Sequence, residues 1–241
     1  MRSATPGFPG FPREAMQFFR GLARNNNRDW FQPRKQIFED QVKQPMRELV
    51  EALNAAMTGF APQYVTDPAK AIYRFYRDTR FSKDKSPYKQ QIAASFPRRG
   101  LERHGAGGFY FAVSHKEVAI GGGVYMPPPE TLRAIRAHIA GHPEDLRRVT
   151  DNRTVRKLLG ELQGEQLSRV PKGFACDHPA EDLLRMKQFL LYIELPPDCA
   201  TTPRLFREIE SRFRAMTPFL EFLNAPLAPL RKKIDARELF G

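Results

Sequence analysis

Hydrophobic residues recur at helical spacing near both ends of the chain, and in short alternating or continuous runs between them. Near the start, Phe11, Ala15, Phe18, Phe19 and Leu22 are three or four apart, which predicts a helix from Arg13. Asn25, Asn26 and Asn27 stop it, because asparagine favours turns over helix interiors. Asp29 then reads as the N-cap of the next helix, with Gln32 three residues on completing a capping box. A stripe of Phe31, Phe38, Val42, Met46, Leu49, Val50, Leu53 and Met57 carries that helix from Trp30 to Met57. Pro45 lies inside it and predicts a kink or break.

The pattern changes after Gly59 and Pro62. Residues 71–81 are rich in Ile, Tyr, Phe and Thr and read as a strand. Residues 90–96, 109–114 and 118–124 are three more, the last two joined by a tight turn at His115-Lys116-Glu117. Pro127-Pro128-Pro129 closes this region. The third proline sits in the first turn of a helix over 130–140, with Leu132, Ile135 and Ile139 facing inward. Shorter helices are predicted over 145–149, 154–162 and 180–186. Residues 189–195 read as a late strand that returns to the sheet. Residues 202–223 form an amphipathic helix, with Pro203 in its first turn and a stripe of Leu205, Ile209, Phe213, Met216, Leu220 and Leu223. A basic amphipathic tail surrounds Arg231-Lys232-Lys233. The expected fold is α+β: a mostly antiparallel sheet of four to six strands, packed against long N- and C-terminal helices. Residues 1–12 read as an extended arm, mobile or packed, and 13–241 as a single α+β domain. No internal repeat or low-complexity block interrupts it.

Composition narrows the class. With 241 residues and 41% hydrophobic side chains, the chain can bury a core without disulfides or structural metal. No apolar run approaches the ~20 residues of a membrane span, so no integral membrane association is expected. The first twelve residues lack the apolar core of a signal peptide. Cys176 and Cys199 are the only cysteines, which predicts free thiols and a cytoplasmic protein.

Charge carries the functional content. The formal net charge is +12. Residues 70–103 hold ten basic and three acidic side chains, so over half of that excess sits in one seventh of the chain. On a strand, alternation places Arg74, Tyr76, Asp78 and Arg80 on one face. Arg77 falls on the other with Tyr73, Phe75 and Phe81, where a guanidinium must be paired, stacked or at a mouth. The loop Ser82-Lys83-Asp84-Lys85-Ser86-Pro87 follows, and Tyr88 and Lys89 re-enter structure. Arginine suits bidentate recognition of phosphate or carboxylate, and lysine adds point charge.

Three readings stand. In the first, Arg74, Arg77, Arg80, Lys83, Lys85, Tyr88 and Lys89 bind a phosphorylated ligand or nucleic acid. In the second, Asp78 or Asp84 acts as base or metal ligand in an arginine-lined pocket of an enzyme. In the third, Arg74, Asp78 and Arg80 form an ion-pair network that only pins a hairpin.

The stretch Arg74-Phe75-Tyr76-Arg77-Asp78-Thr79-Arg80-Phe81-Ser82-Lys83-Asp84-Lys85-Ser86-Pro87-Tyr88-Lys89 resembles the motif of a bacterial and fungal family, the domain of unknown function 2461. Asn26-Asn27-Arg28-Asp29-Trp30-Phe31 is similar to its early element, and Gly121-Gly122-Gly123-Val124-Tyr125-Met126-Pro127 to its glycine element. Pro171-Lys172-Gly173-Phe174, Asp177-His178-Pro179 and Leu184-Arg185-Met186-Lys187 are similar to its late block. The resemblance implies one domain and one site; it brings no activity, substrate or cofactor.

Other motifs carry less. Gly121-Gly122-Gly123 matches no phosphate-loop spacing and reads as a bulge or a close backbone approach. The histidines show no metal-ligand spacing with carboxylate or cysteine, so no metal is predicted. His178 reads as a capping-loop residue and Trp30 as core. Ser114-His115 has no recognisable third member of a triad.

Overall fold

The structure, a computed structural model, describes residues 7–103 and 105–227. The basic tail around Arg231-Lys232-Lys233 lies outside the described residues. Residues 7–12 precede the first helix without helix or strand; Phe8 and Phe11 are buried, and the Phe11 N–H donates to the Ala200 carbonyl at 2.8 Å.

Helix α1 (Arg13–Arg24) ends as the asparagine run predicts, with the Asn25 N–H closing on the Gly21 and Leu22 carbonyls. The next N-cap is Asn27 rather than Asp29. Asn27 has extended backbone, and its side chain accepts from the Trp30 N–H at 2.9 Å. Asp29 instead falls in the first turn, where a carboxylate complements the helix dipole. The helical run continues as α2 (Arg28–Phe31), a 3-10 turn (Gln32–Arg34), α3 (Lys35–Phe38), a π turn (Glu39–Lys43) and α4 (Gln44–Met57). Pro45 lacks an N–H for the carbonyl four residues back, and its ring crowds that carbonyl. The wider π turn just before it absorbs the conflict, so the helix widens instead of ending.

After α5 (Pro68–Ala71), the expected strand over 71–81 is only partly formed. Ile72 bridges Ala94 and Tyr76 bridges Tyr88, but no continuous ladder joins them. Residues 73–75 on one side face residues 89–93 on the other, so the register shifts between the bridges. Beyond Tyr76–Tyr88, the Arg77 N–H donates to the Pro87 carbonyl, but Pro87 has no N–H to return the bond. The segment is therefore an irregular hairpin arm.

The sheet consists of β1 (Gln91–Pro97), β2 (Gly108–Ser114), β3 (Val118–Val124) and β4 (Phe189–Leu195), antiparallel and in sequence order. The fold is thus α+β, with four strands among the described residues. At the β2–β3 turn, the Ser114 hydroxyl accepts from the Lys116 and Glu117 N–H groups and donates to the Glu117 carbonyl. That hydroxyl serves the turn.

The remaining helices are α6 (Pro129–Gly141), α7 (Pro143–Thr150), α8 (Arg153–Leu159), α9 (Glu181–Leu184) and α10 (Arg204–Asn224). Pro129 opens α6 as predicted, and Asn152 caps α8. The His178 imidazole accepts from the Ala180 N–H at 3.0 Å, a local bond in the loop just before α9, which itself has no side-chain cap.

The chain packs as two compact units. The first contains residues 7–96, 110–120 and 194–211. Its core is aromatic: Phe18, Phe31, Phe38, Phe75 and Tyr88 form one connected cluster of ring contacts. The second contains the described residues of 97–109, 121–193 and 212–227. In it Phe109 stacks on Phe213 with centroids 4.5 Å apart. The glycine run of β3 gives a close backbone approach. A Cβ on Gly121 would sit 2.8 Å from the Leu191 carbonyl oxygen, and one on Gly122 would meet the Met216 sulfur. Among the described residues, no helix is long and apolar enough to cross a membrane. Cys176 and Cys199 are free thiols.

Candidate functional site

The cationic loop is built from below. Phe75 and Tyr88 point into the core of the first unit. Phe75 stacks on Phe38 at 4.2 Å, and Tyr88 stacks on Phe31 at 4.3 Å. The Asn26 side chain donates to the Tyr88 carbonyl at 2.9 Å and accepts from the Tyr88 N–H at 3.1 Å. It acts as a one-residue strand partner for Tyr88, whose own N–H and carbonyl are not used in the bridge to Tyr76. The early asparagine element thus fastens the return arm of the hairpin. Sequence reasoning assigned Asn26 only to a helix stop; its placement in the same resemblance as the arginine motif was the available signal.

Alternation holds where the ladder fails. Arg74, Tyr76, Asp78 and Arg80 are exposed, while Tyr73, Phe75 and Arg77 are turned inward. Phe81 departs from this pattern. It was expected on the aromatic face, but the chain turns at residues 79–82, and its ring is 95% exposed. Tyr88 also departs. Expected at a ligand, it is 1% exposed, because its ring completes the aromatic core, so it supports the loop from beneath.

Each carboxylate is engaged within the loop. The Asp78 carboxylate accepts from Arg80 Nε at 3.1 Å and Nη2 at 2.8 Å, and from the Arg80 backbone N–H at 3.2 Å. Arg74 Nη2 stands 3.9 Å from the same carboxylate. These hydrogen bonds from Arg80, and the charge of Arg74, hold Asp78 below the ordinary carboxylate range. Asp84 accepts from the Ser86 N–H at 2.9 Å and pairs with Arg77. Bonds from Ser86, and then Arg77, lower its pKa to about 2. Arg77, the inward-facing arginine, is therefore paired as required, and it also donates to the Ser86 carbonyl at 3.2 Å.

The other cations are differently placed. Lys85 donates to the Thr79 carbonyl at 2.9 Å and closes the loop. Lys89 lies over the Tyr73 ring, 5.2 Å from its centroid, and burial followed by Arg74 lowers its pKa. The Arg74 side chain is 69% exposed. Lys83 is exposed and forms no ion pair with the described residues. The structure thus brings Arg74, Asp78 and Arg80 together, pairs Arg77 with Asp84, and leaves Lys83 projecting.

The chemistry open to this arrangement follows from those states. Both carboxylates are ionised and held so, which suits orientation of guanidinium groups and disfavours proton transfer near neutral pH. The exposed cations can meet an anion.

The family model described as a conserved hypothetical protein (DUF2461) matches residues 14–222. The match spans both the asparagine element and the arginine loop. No curated protein and no solved structure matches the chain.

Proposed function

Because the chain belongs to the DUF2461 family, whose description states no activity, we propose its function from its own geometry: the loop of residues 74–89 binds a phosphate-bearing ligand or nucleic acid. The observation that carries this reading is an imbalance of pairing. Asp78 and Asp84 are both taken by arginines of the loop, while Arg74 remains largely exposed and Lys83 has no ion-pair partner among the described residues. Six basic and two acidic side chains lie within these sixteen positions, so the loop retains a positive field after its internal pairs form. Lys89 and Lys85 add to that field from fixed positions.

A purely structural role is weaker. The Asp78 pairs are solvent-exposed, and exposed ion pairs contribute about 0–1 kcal/mol. The buried contacts of Tyr88, Phe75 and Asn26 already hold the hairpin. An enzyme using Asp78 or Asp84 as a base is disfavoured by their lowered pKa values.

The test is binding of labelled oligonucleotides and of inorganic phosphate as ionic strength rises. Affinity for the polyanion should fall steeply with salt. For three neutralised phosphates on a single strand, the log–log slope is about −2. The double variant R74A/K83A should bind more weakly with a shallower slope. Binding indifferent to salt, or unaffected by that variant, overturns the proposal.

A further inference from the structure

The loop carries two features that a simple phosphate site does not use. Tyr76 is 53% exposed and Phe81 is 95% exposed, and both lie among its basic residues. Fully exposed phenylalanine is a poor outcome for folding, since its burial elsewhere in this chain is nearly complete at Phe11, Phe19, Phe31, Phe96, Phe109 and Phe111. We infer that the partner is a single-stranded nucleic acid whose unpaired bases stack on Tyr76 and Phe81 while its phosphates meet Arg74, Arg80 and Lys83. This inference rests on the binding reading above and narrows it.

The two rings are mounted differently. Tyr76 is backed by Tyr88 at 5.3 Å and by Phe31 at 6.4 Å, so one side is fixed against the core and the other faces water. Phe81 stands at the loop, with the Arg80 guanidinium 5.7 Å from its centroid. Arg80 is itself oriented by its two-point contact with Asp78, which also covers the one carboxylate on this face. The result is an aromatic platform and a second ring, both flanked by cations. That combination suits single strands, because an aromatic ring stacks on any base that is not already stacked in a duplex. Inorganic phosphate or a small phosphorylated metabolite gives Phe81 nothing to cover it. A duplex presents backbone charge but no free base faces.

The experiment compares one labelled oligonucleotide single-stranded and annealed to its complement, with inorganic phosphate as competitor. The full chain is used as wild type and as F81A, F81W and Y76A. Phe81 is 95% exposed, so F81A should melt with the wild type. The inference expects tighter binding of the single strand, a loss of about five- to a hundred-fold in F81A and Y76A, and retention in F81W. The salt slope should be unchanged in the aromatic variants, since they remove no charge. Equal binding of duplex and single strand, with F81A neutral, overturns the stacking inference and leaves the anion-binding reading standing. Salt-dependent competition by phosphate with no oligonucleotide preference does the same. No binding of any anion overturns both.

Discussion

Asn26 holds Tyr88 by its backbone from 62 residues away in sequence, donating to its carbonyl and accepting from its N–H. Those two groups have no β-ladder partner at that point, so the side-chain amide replaces a strand. Asn26→Ala should leave a donor and an acceptor unsatisfied in a part-buried position and cost about 1–3 kcal/mol. Asn26→Asp should be intermediate, since it keeps the acceptor and loses the donor. Urea unfolding midpoints measure both. An unchanged midpoint in Asn26→Ala would mean that the pair is ornamental.

That bond also shows what the sequence could and could not convey. Helices α1, α6 and α10 were legible because their apolar positions repeat at helical spacing, and strands β1 to β4 because each is a short apolar, β-prone run. The cap at Asn27 was misplaced by two residues, because asparagine and aspartate compete for the same role. The arm over 71–81 looked like a strand because its aromatic and β-branched content is that of one. The register shift between the Ile72–Ala94 and Tyr76–Tyr88 bridges and the missing N–H of Pro87 are pairing facts, and pairing partners are not visible along a single chain. Within the site, alternation correctly separated Arg74, Asp78 and Arg80 from Arg77. It could not show that Tyr88 is core or that Phe81 is exposed, since both follow from where the loop turns.

Two phenylalanines separate the two layers of the site. Phe31 is buried under the loop and touches Phe18, Phe38, Phe75 and Tyr88. Phe31→Ala should destabilise by about 3–5 kcal/mol through lost burial and the cavity it leaves. Phe81→Ala should change stability by less than about 0.5 kcal/mol. Thermal unfolding of the two variants side by side checks this, and comparable losses would mean that Phe81 is packed in solution.

Gly123 has φ +136°, and a Cβ there would run into the Phe189 carbonyl of the neighbouring strand. Gly123→Ala combines backbone strain with a collision against β4, which cannot yield without breaking sheet hydrogen bonds. A loss of more than about 2 kcal/mol is expected. Gly141→Ala is the control, because its Cβ meets nothing within 4 Å, and alanine is the better helix former, so this variant should be equal or more stable. Equal melting of Gly123→Ala and wild type would contradict the close approach of β3 and β4.

His115 resists protonation. Burial lowers its pKa first, followed by the positive charges of Lys116, Arg20 and Arg24, and its Nδ1 is buried without a hydrogen-bond partner among the described residues. A folded pKa below the unfolded value of about 6.5 stabilises the fold above that pH. That contribution is lost as pH falls through 6.5 toward the folded pKa. His115→Gln should therefore flatten the decline in melting temperature on the acid side of 6.5. An identical decline in both proteins would assign it to other groups.

Asp84 gives the opposite end of the pH scale. Its carboxylate is held at a pKa of about 2, against an ordinary 3.8, by Ser86 and then Arg77. The sign is that of a depressed acid: the stabilisation of the loop is complete above 3.8 and is lost as pH falls through about 2. The Asp84 carboxyl carbon, followed by NMR, should titrate with a midpoint near 2 in the wild type. In Arg77→Gln the midpoint should rise only part of the way to 3.8, because the Ser86 bonds remain. In Ser86→Pro the backbone N–H is removed and the midpoint should rise further. If Arg77→Gln alone restores the ordinary value, the guanidinium rather than the turn holds this carboxylate, and the loop is fastened by charge instead of by its backbone.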